Sequence, residues 1–122
     1  VFLYYFNQAQ PPSSYAPFEQ RGAGHGSEIA YVFRHLDLNN GDSYTDQDKK
    51  LSRMMATYWT NFARHGDPNG KELPKWPVFE VGKPTVMYLN SQPDVGSVPN
   101  LEKLKLMDKY FKWKREKVES QK

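Results

Sequence analysis

Residues 22–28 read Gly-Ala-Gly-His-Gly-Ser-Glu, and His25 between its glycines is the side chain here best suited to chemistry. Imidazole titrates near neutrality, so one histidine can take up a proton and return it within a reaction cycle. To do so, its ring nitrogen must lie within hydrogen-bond reach of the group it deprotonates. Glycines at 22, 24 and 26 let the backbone turn sharply and let another group approach closely. The plainer alternative is a solvent-exposed histidine in a glycine-rich loop, and spacing alone does not separate the two.

The other reactive side chains say less. Glu28 stands three residues after His25 and could orient it, but an acid in the first turn of a helix is the simpler reading. Ser27 lies between Gly26 and Glu28, which is no nucleophile elbow, and the chain has no G-x-S-x-G. His35 and His65 fall at helix ends, where positive charge suits the dipole. No two of the three histidines have close ligand spacing, so no metal site is expected. With no cysteine, disulfides, thiolate metal sites and thiol nucleophiles are excluded. Tyr58, Trp59, Phe62 and Trp76 could form a stacking platform, but helical spacing favours a core role.

His25 needs elements to hold it. The run Val1-Phe2-Leu3-Tyr4-Tyr5-Phe6 predicts a strand buried on both faces, as in a parallel sheet. A long polar loop from Asn7 to Gly22 leads to His25, and reacting groups in open α/β sheets sit on such loops, beyond the carboxyl ends of strands. Ile29, Val32, Phe33 and Leu36 then have the spacing of one helix face, before the turn Asn39-Asn40-Gly41-Asp42. A second helix is predicted from Asp46 to His65, with Leu51, Met54, Met55, Tyr58, Trp59, Phe62 and Ala63 as its apolar stripe. Thr45 with Asp48 resembles a capping box, and Gly66 suits the left-handed C-terminal position. Thr85–Leu89 reads as a strand and residues 90–99 as a loop. A terminal helix is capped by Asn100 and carries Leu101, Leu104, Met107 and Phe111 on one face. The order suits the last segment of an α/β sheet better than a complete domain.

Charge narrows the partners. Residues 101–122 hold eight Lys/Arg against four Asp/Glu, while the other hundred hold nine against ten. The basic excess is therefore confined to the tail, where acids alternate with it, and no nucleic-acid footprint is expected. No apolar run approaches the roughly 18 residues of a membrane span.

Gly24-His25-Gly26-Ser27-Glu28-Ile29-Ala30-Tyr31-Val32-Phe33 resembles the catalytic-histidine segment of the type B carboxylesterases, the cholinesterase-like branch of the α/β-hydrolases. That family shows H-G/A-x-E-L/I followed by V-F. Tyr58–Asn69 is similar to the family's W-x-N-F-A-x-x-G-x-P-N helix and turn, and Trp76-Pro77 before the strand at 86–89 is a third match. The resemblance implies the C-terminal portion of an α/β-hydrolase fold: the last strands of the central sheet with flanking helices. On this reading residues 1–122 belong to one catalytic domain, not a complete domain by themselves, with 113–122 fraying.

The resemblance also implies a carboxylic ester hydrolase with a Ser-Glu-His triad, in which His25 is the catalytic histidine. The serine, the triad acid and the oxyanion-hole glycines would lie in an upstream N-terminal part of the same enzyme. Glu28 is not the triad acid on this reading but a buried structural carboxylate near the histidine. The implied substrate is a small-molecule ester, with no cofactor and no metal. The lack of cysteine departs from the animal cholinesterase pattern and implies a member without a disulfide in this region. One alternative is a non-catalytic cholinesterase-like adhesion or scaffold protein. Another is a small basic domain that binds acidic partners. A buried first strand needs neighbours on both edges, so Val1 is expected to be a cut end. The 122-residue chain in isolation should then show no sharp two-state thermal transition, and calorimetry checks this.

Overall fold

The computed structural model describes residues 1–12, 22–38 and 44–119. The expected turn at 39–42 and most of the loop leading to His25 lie outside these residues. The elements run β1 (Tyr4–Phe6), α1 (Glu28–Val32), a 3-10 turn (Leu36–Leu38), α2 (Asp46–His65), β2 (Thr85–Leu89), β3 (Asp94–Ser97) and α3 (Leu101–Glu119). The sheet has the order β1-β2-β3. β1 pairs parallel with β2, Tyr4 opposite Met87, and β3 returns antiparallel along the other edge of β2. A parallel pair requires a long crossover, and the helices α1 and α2 lie within it.

α2 keeps the predicted bounds because both of its ends are satisfied. Thr45 accepts the Asp48 N–H on its hydroxyl, while the Asp48 carboxylate accepts the Thr45 N–H, a complete capping box. Gly66 closes the helix at φ 70°, a backbone region open to glycine without strain. Leu51, Met55 and Tyr58 are buried against Met87 and Leu89 of β2, Tyr31, Leu36 and Trp76. Trp59 is half-buried rather than fully buried, and Phe62 is 51% exposed, because both stand at the edge of the stripe.

Trp76 ties the layers together. It is buried among the rings of Phe2, Tyr4, Tyr58 and Trp59. Its indole N–H donates to the Leu3 carbonyl at 3.0 Å, which also accepts the Met87 N–H. Asn69 brackets the Trp76 backbone, accepting its N–H at 2.7 Å and donating to its carbonyl at 2.9 Å. Asn61 of α2 donates to the carbonyls of Pro68 and Asn69, and Tyr58 donates to the Pro74 carbonyl. A Cβ on Gly70 would meet the Asn61 amide nitrogen at 2.8 Å, so a side chain there would displace the group that holds the Pro68 and Asn69 carbonyls.

Asp48 is the buried charge of the fold. Its Oδ2 accepts from the Thr45 N–H and hydroxyl, and its Oδ1 from the Tyr31 hydroxyl and the Gln8 amide, all at 2.7–2.8 Å. Burial alone would raise its pKa, but the bonds from Thr45, Tyr31 and Gln8 outweigh that and hold it below the ordinary carboxylate value.

Four expectations change. β1 is buried on one face only. Phe2, Tyr4 and Phe6 are half-buried against the core, whereas Leu3 and Tyr5 are 37% and 45% exposed, the alternation of a strand with one covered side. α1 is shorter than the apolar spacing predicted, and its face differs in part. Ile29 and Phe33 are 55% and 65% exposed, while Val32 packs against the core, Leu36 is buried as expected and Tyr31 joins them; the chain leaves the helix at Arg34 with φ 58°. Residues 94–97 form a strand, β3, where a loop was expected; Gly96 leaves room for the Tyr88 ring, and the Tyr88 hydroxyl donates to Ser97 O. α3 stays helical to Glu119, past residue 113, with Lys117 over the Trp113 ring. Asn100 precedes it at φ 56°, giving its carbonyl to the Leu104 N–H.

Two measurements on the complete protein test these assignments. Trp76→Phe should cost about 1 kcal/mol through the lost indole bond, and Trp76→Ala about 3–5 kcal/mol through lost packing, read from denaturant midpoints. Equal costs for the two variants would contradict the division. A lowered carboxylate pKa adds stability that is full above the unfolded value of about 3.9 and lost as pH falls below it through the folded value. Asp48→Asn should therefore be less stable at pH 7, with the deficit shrinking below about pH 4. A deficit constant with pH would exclude the carboxylate's charge as its source.

Candidate functional site

His25 opens the turn that feeds α1, after the long connection from β1. The Ser27 N–H and hydroxyl both donate to the Gly24 carbonyl, and the Ile29 N–H donates to Gly26 O. Gly26 sits at φ 77° and Gly22 at φ 105°, so both glycines flanking the segment occupy backbone that a side chain would strain. This geometry turns the chain tightly around His25 and leaves the imidazole exposed. Among the described residues, its ring has no hydrogen-bond partner. A free ring nitrogen at the head of a loop can meet a group presented from elsewhere, which a general base requires.

Glu28 occupies the first turn of α1 and is half-buried. Burial raises the Tyr4 phenol's pKa, and the negative charge of Glu28 raises it further, so the carboxylate lies close enough to β1 to be felt there. Ser27 stands at the cap position in helical conformation and makes no side-chain cap. Its hydroxyl donates to Gly24 O.

His35 and His65 are exposed, His35 beside the Phe33 ring and His65 at the end of α2. Among the described residues, no three His, Asp or Glu side chains gather as metal ligands. The aromatic set divides. Tyr58 and Trp76 are buried in the core and Trp59 and Phe62 are not, yet all four, with Phe2 and Tyr4, line an apolar cleft of about 330 Å³. Among the described residues, no helix is long and apolar enough to cross a membrane.

The group that sequence reasoning missed is the Asp48 network. The capping box was visible in Thr45 and Asp48, but the bonds from Gln8 and Tyr31 span 40 and 17 residues, and no local pattern announces them.

The carboxylesterase family model matches residues 1–107. Human cocaine esterase is 39% identical over 97 residues, covering 80% of this chain and 17% of its own length. Acetylcholinesterase from Bungarus fasciatus is 39% identical over 95 residues, covering 76% of this chain and 15% of its own. Among solved structures, a thermophilic pNB esterase superposes with a TM-score of 0.70 at 27% identity, over 84% of this chain and 21% of that one. The Geobacillus stearothermophilus carboxylesterase gives 0.62 at 26%, over 81% and 20%. The chain thus spans less than a fifth of the length of these curated relatives. The three-stranded sheet with its helices is α/β-hydrolase architecture, in agreement with the fold expected from the sequence. The chain belongs to the carboxylesterase family.

Proposed function

We propose that this chain is the histidine-bearing part of a carboxylic ester hydrolase that works through a Ser-Glu-His triad and an acyl-enzyme. The observation that carries the proposal is the placing of His25. In a chain of this family, it stands exposed between glycines, at the head of a helix that follows a parallel strand.

The serine and the triad acid would come from an upstream part of the enzyme. His25 would accept the serine proton as the hydroxyl oxygen attacks the ester carbonyl. The imidazolium would then protonate the departing alkoxide, and the imidazole would next take a proton from water as that water attacks the acyl-enzyme; the serine–acyl bond then breaks, the acid leaves and the imidazolium returns its proton to the serine oxygen. Backbone donors of the upstream part would hold the oxyanion formed in each step. Membership of the carboxylesterase family supports small-molecule carboxylic esters as the substrate class. Glu28, half-buried in the first turn of α1, is assigned a structural part.

In the complete enzyme, His25→Ala should lower ester turnover by at least about 10³-fold. The unfolding midpoint should hardly move, because the exposed ring contributes little packing. Glu28→Gln should act chiefly on stability. An activated ester in a burst assay separates acylation from deacylation. Near-native rates of His25→Ala in both phases would remove His25 as the base.

A further inference from the structure

We infer that Asp48 is a positioning residue for His25, its carboxylate fastening both limbs of the segment that carries the histidine. The inference rests on the reading of His25 as the base. Gln8, two residues beyond β1, begins the connection to His25, and Tyr31 on α1 lies six residues after it. Both donate to the same oxygen, Asp48 Oδ1, each at 2.8 Å.

A helix cap does not require this. The capping box is complete with Oδ2 and the Thr45 side chain, which leaves Oδ1 free for segments foreign to the cap. Each limb has a second fastening. The Gln8 carbonyl oxygen of its side chain accepts the Ser91 N–H at 2.8 Å, just past β2, and the Tyr31 backbone carbonyl accepts the Ser52 hydroxyl at 2.7 Å. The limbs are thereby referred to the sheet and to α2, the two rigid elements of the fold. The backbone that carries the His25 ring runs through the turn at 24–29 directly into α1, so the Tyr31 anchor bears on where the ring is presented. A carboxylate accepts such bonds more strongly than a neutral group, and a buried one is held to its geometry by the cost of losing a donor.

The test separates positioning from stability. In the complete enzyme, the double variant Gln8→Met with Tyr31→Phe removes both tethers and leaves the Thr45–Asp48 cap intact. Its kcat should fall about ten- to a hundredfold with little change in KM, the cost of a misplaced reacting group. Amide exchange in the peptide covering residues 22–27, followed by mass spectrometry, should quicken. Trp76→Phe, which lowers stability away from the clamp, should leave kcat near native. In a His25→Ala background, the double variant should cause no further loss. Unchanged exchange or unchanged kcat in the double variant would overturn the inference. So would an equal kcat loss in Trp76→Phe, or a full additional loss on His25→Ala. His25→Ala alone decides whether His25 is the base, while exchange at 22–27 reports the clamp whichever residue is the base.

Discussion

A single buried carboxylate holds the histidine segment to the rest of the fold. Asp48 accepts four hydrogen bonds from three stretches of chain: Gln8 after β1, Tyr31 in α1 and Thr45 at the start of α2. An unpaired buried charge would be costly, and this one is tolerated because its donors outweigh the desolvation. The dependence runs both ways. The Tyr31 hydroxyl can sit in the core only because Asp48 receives it, and burial beside that carboxylate keeps the phenol protonated well above its ordinary pKa. α1 is only five residues long, too short to be stable by itself, so its orientation is borrowed from this contact and from the Ser52 bond.

The second constraint is aromatic. Trp76 stands where β1, α2 and the 67–77 connection meet, and its indole bond to Leu3 joins residues 73 apart in sequence. The Tyr58–Asn69 stretch and Trp76-Pro77, which carry the family likeness, are therefore one physical unit. Asn61 holds the Pro68–Asn69 carbonyls, and Asn69 holds Trp76. Mutual hydrogen bonding binds the two motifs into one piece.

Local rules made part of this legible. α2 could be bounded from sequence because its cap, its apolar stripe and its terminal glycine all agree, and Thr85–Leu89 because β-branched and aromatic residues cluster between turns. What failed depends on distant partners. The apolar spacing of Ile29, Val32, Phe33 and Leu36 found Val32 and Leu36 on the core side but missed Tyr31, which the core takes because an acceptor stands 17 residues away. Asp94-Val95-Gly96-Ser97 has little strand propensity, and it becomes β3 because β2 offers an open edge and the Tyr88 ring needs the space at Gly96. The candidate site divides in the same way. His25 could be singled out by its glycines, but Asp48 reads in the sequence as a helix cap alone, and its bonds to Gln8 and Tyr31 appear only in three dimensions.

This arrangement resolves a conflict that faces any general base on a loop. The imidazole has to be open to a serine from elsewhere, so burial cannot fix it, and on the proposed reading the triad acid that would orient its ring lies outside this chain. Yet catalysis tolerates only small errors in its position. Glycines at 22 and 26 permit the turn but stiffen nothing, since glycine loses the most conformational freedom on ordering. Order must then come from the ends of the segment. Fastening Gln8 and Tyr31 to one oxygen does this at little entropic cost, because Asp48 is already held in place by its own helix cap. The polar cluster can stay buried because its donors match its acceptors: among the described residues, no buried side-chain polar atom lacks a partner.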